Sequence, residues 1–178
     1  MATDLEIIAS LIRPVHDFPK PGVLFRDITP LIGSPAGLRA VTAGLLNAVP
    51  GDIDVVAGIE SRGFIFGVPL ALELGVGFVP IRKPNKLPGP VYSQPFDLEY
   101  GSSTLSIHQD SLQPGQRVLL VDDLLATGGT LVAGAQLIDQ VGADTVHVSV
   151  VIELTDLGGR AKLAAQRGIV SVTSLISY

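Results

Sequence analysis

At 178 residues, with 47% hydrophobic and 16% charged side chains, the chain is one domain's worth of sequence and has the core-forming material that a disordered chain lacks. Its 12 basic and 17 acidic residues leave a net charge of −5, which argues against a broad nucleic-acid face but leaves room for a local basic pocket. Cysteine is absent, which removes disulfides, thiol nucleophiles and Cys-built zinc sites. No signal peptide is read at the acidic N-terminus, and no apolar run reaches the ~18–20 residues of a membrane span, so the expectation is a soluble, cytoplasmic protein.

Thr3-x-x-Glu6 is a capping box, and Leu5, Ile8, Ala9 and Ile12 follow at helical spacing up to Pro14. The proline-punctuated segment from His16 to Gly22 is expected as loop, with a short strand over 23–25. Ser34-Pro35 is an N-cap with proline at the first helical position, opening a helix that Pro50-Gly51 stops. Strands and helices then alternate: a strand over 53–59, a helix over 64–74 and a strand over 77–81. Residues 82–95 read as a long loop, and 96–100 and 104–108 as a hairpin around Gly101. An apolar strand over 117–121, a helix over 130–141, a strand over 145–152, a helix over 156–166 and a strand over 169–175 complete the chain. The alternation predicts an α/β fold with a central, mostly parallel sheet flanked by helices. The expectation is a single domain over 1–178, with residues 1–33 as a small N-terminal flap and 82–100 as a flexible loop.

The strongest chemical signal is Val118-Leu-Leu-Val-Asp-Asp-Leu-Leu-Ala-Thr-Gly-Gly-Thr130. An apolar strand leads to Asp122 and Asp123, then to a loop of Ala126, Thr127, Gly128, Gly129 and Thr130, then to a helix. Ligands of open α/β sheets bind at the carboxyl ends of strands. A helix N-terminus with exposed amides and threonine hydroxyls suits a phosphate, and a carboxylate accepts hydrogen bonds from a vicinal diol. Phosphate plus diol reads as a ribose 5-phosphate group. Asp-Asp alone is as readily a helix cap or a solvated strand end; the attached Gly128-Gly129-Thr130 tips the reading to a ligand loop. No lysine follows the glycines, so this is not a Walker loop.

This motif resembles the phosphoribosyl-diphosphate (PRPP) motif of the type I phosphoribosyltransferases, and its wording that of the adenine-specific members. Phe18-Pro-x-Pro-Gly-Val-Leu-Phe-Arg-Asp-Ile-Thr-Pro30 resembles their base-pocket segment and Glu60-Ser-Arg-Gly-Phe64 their pyrophosphate loop. Arg82-Lys-x-x-Lys-Leu-Pro88 and Leu98-Glu-Tyr-Gly101 resemble the two ends of a flexible catalytic loop. Asn85 departs from the pattern, standing where glycine is commoner.

The resemblance implies transfer of phosphoribose from PRPP to adenine, giving AMP and diphosphate in purine salvage. It implies Mg²⁺ held mainly by PRPP rather than by the protein, and a homodimer, because the Arg82 position reaches a neighbouring site. On the residues alone, Arg62 reads equally as a diphosphate ligand or a solvated cation. Arg82, Lys83 and Lys86 read as a solvated basic face, and Glu99 as an exposed hairpin charge. The resemblance assigns Arg62, Arg82, Lys83 and Lys86 to diphosphate, Glu99 to proton transfer near adenine N7, and Tyr100 to the loop. It lays Leu24, Phe25 and Arg26 along adenine, with Leu154 on the other face. Two further readings are a transferase for another base and a non-catalytic PRPP-sensing module. His16, His108 and His147 are too widely spaced for a zinc site, and His147, among valines, reads as structural.

Overall fold

The computed structural model describes residues 2–97, 102–166, 168, 169 and 171–178. The chain order is α1 (Asp4–Ser10), β1 (Arg13–His16), β2 (Leu24–Asp27), α2 (Thr29–Ile32), α3 (Pro35–Asn47), β3 (Val55–Ile59), α4 (Arg62–Leu74) and β4 (Gly77–Ile81). There follow β5 (Val91–Asp97), β6 (Ser102–His108), β7 (Arg117–Leu125), α5 (Gly129–Val141), β8 (Asp144–Glu153), a 3₁₀ turn (Thr155–Leu157), α6 (Gly159–Ala164) and β9 (Ser171–Ser177).

Five strands form one sheet in the order β4-β3-β7-β8-β9, and every neighbouring pair is parallel. Helices cover both faces, as the alternation of the sequence required. Val55, Ala57, Ile59, Val118 and Leu120 face α5, while Val56, Leu119 and Val121 face α3 and α4. The connection after β3 leads through α4 to one side, and that after β7 through α5 to the other. The carboxyl ends of β3 and β7 therefore flank a topological switch point, where two helices of opposite faces leave a crevice.

Two small antiparallel ribbons stand apart from this sheet. β1 pairs with β2, with Val15 opposite Phe25. β5 pairs with β6 and packs Tyr92 and Phe96 onto the α5 face of the core. The capping box of Thr3 and Glu6 and the Ser34 cap form as the spacing predicted. His147 donates to or accepts from Ser171 at 2.6 Å inside the sheet, a structural role, and burial lowers its pKa.

Several boundaries differ from the sequence reading. Residues 91–95 are strand rather than loop: Pro95 removes one ladder donor, yet pairing with Thr104 persists because β5 lies at an edge. The expected helix over 156–166 is a 3₁₀ turn and a short helix, divided at Gly158, which takes φ 68. β1 and α2 went unrecognised: Pro14 sits in an edge strand, and α2 has only four residues.

Candidate active site

β7 runs through Leu125, so Asp122 and Asp123 lie within the strand rather than beyond its end. The reason lies in the neighbours. Pairing with β3 stops at Gly58–Val121, while pairing with β8 continues to Leu125–Glu153. Past Val121 the strand thus borders the crevice on one side, and the carboxylates face it.

Both are nearly covered, Asp122 at 8% and Asp123 at 6% exposure. Burial and the Asp123 charge push the Asp122 pKa well above the usual carboxylate value. Burial also raises Asp123, against the opposing pull of Arg62. The Asp123 N–H donates to Asp122 Oδ1 at 2.8 Å, which fixes the pair's orientation.

Arg62 opens α4 directly after β3, and its Nε lies 2.9 Å from Asp123 Oδ2. The close approach depends on Gly63. A Cβ there would lie 2.6 Å from the Val121 carbonyl oxygen and 3.4 Å from Asp122 Oδ1, so any side chain would push α4 off β7. The Glu60–Ser61 peptide ahead of it is cis.

Three cavities meet around this arginine. The first, about 150 Å³, is the loop from Ala126 to Thr130 with Asp122 and Asp123 at its side. Gly128 opens it with φ 80 and caps α5, leaving the first amides of that helix unpaired for an anion. The second, about 530 Å³, is polar and lies between Glu60, Ser61, Lys83, Ser103 and the two aspartates. The third, about 410 Å³, is mostly apolar and lies under the β1–β2 ribbon, lined by Val15, Phe18, Phe25, Ile28 and Ile32, with Asp27 and Thr29 as its polar members beside Arg62. The Thr29 hydroxyl and N–H, with Arg13, hold the Asp27 carboxyl down to about 2.

The structure thus brings Arg62, Lys83, Asp122, Asp123, Ala126, Thr127, Gly128, Gly129 and Thr130 to one crevice, with Phe25 on the adjoining wall. Arg82 stands at the rim, with its Nε 3.2 Å from Glu60 Oε2 and Nη1 donating to the Lys86 carbonyl. Burial of Glu60 opposes its ionisation, but the Lys83 N–H and the Arg82 guanidinium outweigh it and lower the pKa. The Lys86 side chain lines none of the three cavities. Asn85 takes φ 62, the left-handed conformation that asparagine tolerates best after glycine, so its departure from the family pattern keeps the turn. Leu24 is exposed, Arg26 points away from the apolar chamber, and Leu154 packs against the core beneath. Glu99 and Tyr100 lie outside the described residues. Val15 was not singled out by the sequence, and Glu60, Phe18 and Thr29 entered only as members of the resembling segments, with no role of their own. The Phe18–Phe25 edge contact at 5.1 Å was foreshadowed only by the aromatic at each end of the proline-rich turn.

The sheet thus carries a loop of two glycines and two threonines at its switch point, with an acidic pair beside it and an apolar chamber alongside. A family model for the phosphoribosyl transferase domain matches residues 33–176. An adenine phosphoribosyltransferase of Cutibacterium acnes is 61% identical over 158 residues, covering 89% of each chain. The crystal structure of the adenine phosphoribosyltransferase from Thermoanaerobacter pseudethanolicus superposes with a TM-score of 0.91 at 46% identity, over 98% of this chain and 99% of that one. That of the Saccharomyces cerevisiae enzyme, complexed with adenine and an imino-altritol bisphosphate, gives 0.88 at 37% identity over 97% and 98%. The chain belongs to the type I phosphoribosyltransferase family and, within it, to the adenine phosphoribosyltransferases.

Proposed function

We propose that Asp122 and Asp123 hold the ribose diol, the 126–130 loop the 5-phosphate and Arg62 the diphosphate, in a purine-salvage enzyme that converts adenine and PRPP to AMP and diphosphate. One observation carries this division: Arg62 lines all three cavities and is ion-paired to Asp123. A base in the apolar chamber, a ribose on the aspartates and a diphosphate in the polar cavity would all meet at that side chain.

In the reaction, adenine N9 attacks the anomeric carbon while the bond from that carbon to the diphosphate oxygen breaks. N9 attacks through the lone pair it carries when the ring proton sits on N7, that N7 proton is then lost, and the electron pair of the broken bond leaves on diphosphate. Positive charge develops on the ribose and negative charge on the leaving group. Ionised Asp122 or Asp123 lies beside the first, and Arg62 and Lys83 beside the second. Glu99 is assigned to proton transfer near adenine N7 and Tyr100 to closure of the loop over the site, which keeps water from hydrolysing PRPP. Arg82 and Lys86 complete the cationic rim once Arg82 exchanges Glu60 for phosphate oxygens. Leu24, Phe25 and Arg26 frame one side of the base, with backbone groups reading its edge, and Leu154 the other.

Among the described residues no group of three His, Asp or Glu side chains is placed to hold an ion. Mg²⁺ held mainly by PRPP would arrive with the substrate and offset diphosphate charge alongside Arg62 and Lys83. We place the enzyme in the cytoplasm as a homodimer; light scattering on the active protein tests the latter, and a fully active monomer contradicts it. No helix among the described residues is long and apolar enough to cross a membrane.

Arg62→Ala tests the assignment. It should lower kcat by roughly 10²–10³, the usual cost of removing one preorganised charge-stabilising donor. Wild-type turnover in that variant would remove Arg62 from the reaction.

A further inference from the structure

The base chamber lies under a two-stranded ribbon, β1–β2, which is marginal without outside support. Its inner face carries Val15 and Phe25. Its outer face carries Arg26, and there the guanidinium lies 3.6 Å from the centroid of the Tyr178 ring. The main chain of Tyr178 is tied to the turn at Leu154, the residue that the proposed function lays on the far face of the base. Its N–H donates to the Glu153 carbonyl at 2.9 Å, and its carbonyl oxygen accepts from both the N–H and the hydroxyl of Thr155 at 2.9 Å. These two residues bracket Leu154. Glu153 is itself anchored, accepting from both Arg160 and Ser174.

We propose that Tyr178 is a positioning residue for the base site: its ring holds the ribbon through Arg26 while its main chain holds the Leu154 turn, so one residue sets the width of the slot between them. The inference rests on the reading that the apolar chamber takes adenine. Three features carry it. The ring contact falls on the residue adjacent in sequence to Phe25, so a shift of Arg26 moves Phe25 with it. The hydrogen bonds fall on both neighbours of Leu154, so they fix its backbone without touching its side chain. The phosphate loop and the two aspartates share none of these contacts, so the clasp acts on base binding and leaves PRPP binding alone. Tyr178 is 36% exposed, so its ring is not a core element on which folding depends.

The test is steady-state kinetics of Tyr178→Ala, Tyr178→Leu and Tyr178→Phe, with Phe25→Ala alongside. Losing an arginine–aromatic stack at a partly exposed site should raise the KM for adenine roughly three- to tenfold in the Ala and Leu variants. The KM for PRPP should stay within about twofold, and Tyr178→Phe, which keeps the ring, should restore the adenine value. The Leu variant keeps apolar bulk without a ring, so it separates the stack from simple packing even where the Ala variant unfolds. A wild-type adenine KM in Tyr178→Leu, or an equal rise in both KM values that Phe does not rescue, would overturn the clasp. If Phe25→Ala raises the adenine KM and Tyr178→Leu does not, the clasp alone fails. If neither variant moves it, the base chamber has been misread and the clasp falls with it.

Discussion

The two halves of the active site are built differently. The half proposed for ribose and phosphate stands on β7 and α5, at the centre of the sheet, with aspartates 8% and 6% exposed and helices packed behind them. The base half hangs on a ribbon of four-residue strands, with Phe18 51% and Leu24 41% exposed. On the proposed assignment, the difference follows from what each half binds. A phosphate monoester of nearly two negative charges and fixed shape is held by preorganised dipoles. A flat apolar ring needs an enclosing surface and a few edge hydrogen bonds, which a ribbon pressed against the core supplies. Substitutions in the first half should therefore be severe and confined to PRPP, and those in the second mild and confined to the base.

The largest effect is expected for Asp122→Asn combined with Asp123→Asn. Each removes a charged acceptor for a hydroxyl, worth ~1.5–3 kcal/mol, so kcat/KM for PRPP should fall by roughly 10²–10⁴. Unchanged PRPP kinetics would erase the contrast between the halves. Thr127→Val removes one hydroxyl facing the phosphate cavity. It should raise the KM for PRPP by ~10–100-fold and leave that for adenine within about twofold; a change in the adenine value alone would move the 5-phosphate elsewhere.

The smallest effect concerns stability and sharpens the point that the rigid half is bought against folding. Burial and the Asp123 charge raise the Asp122 pKa above 3.8, so the native state holds a proton that the unfolded chain releases at that pH. Asp122 therefore costs stability as pH climbs from about 3.8 through its native pKa, and the full cost remains at neutral pH. Asp122→Asn, though impaired with PRPP, should melt roughly 2–4 °C higher at pH 7 for each kcal/mol relieved. The gain should vanish below pH 3.8, where the carboxyl is protonated in both states. Calorimetry at the two pH values checks this; a lower melting temperature at pH 7 would mean that the carboxylate is stabilising where it stands.

The two halves also differed in how legible they were. The run from Val118 to Thr130 declares itself because every requirement is local: apolar strand, acids, glycines and helix follow in order, and the parallel sheet places them at its crevice. The base chamber is assembled from β1, β2 and α2, three short elements of weak periodicity, and from Arg62 far along the chain. Only the resemblance of the Phe18–Pro30 segment pointed to it. Pairing decided what propensity did not: β7 extends past Val121 because β8 continues beside it after β3 has stopped. The engagement of Arg82 by Glu60, and of Arg26 by Tyr178, joins residues separated by 22 and by more than 150 positions, and no local spacing encodes either.

The central claim is that this crevice couples PRPP to adenine, and release of diphosphate measured with each purine in turn tests it most directly. Adenine presents N1 as an acceptor and its 6-amino group as a donor, while hypoxanthine and guanine present N1–H and O6. If backbone groups at Leu24 to Arg26 read the base as proposed, they cannot reverse their polarity, and the wrong base leaves donors facing donors, a mismatch worth roughly 10⁴-fold. Rapid diphosphate release with adenine and PRPP, at least that much faster than with hypoxanthine or guanine, is the expected result. Comparable rates with all three bases, or none with adenine, would contradict it.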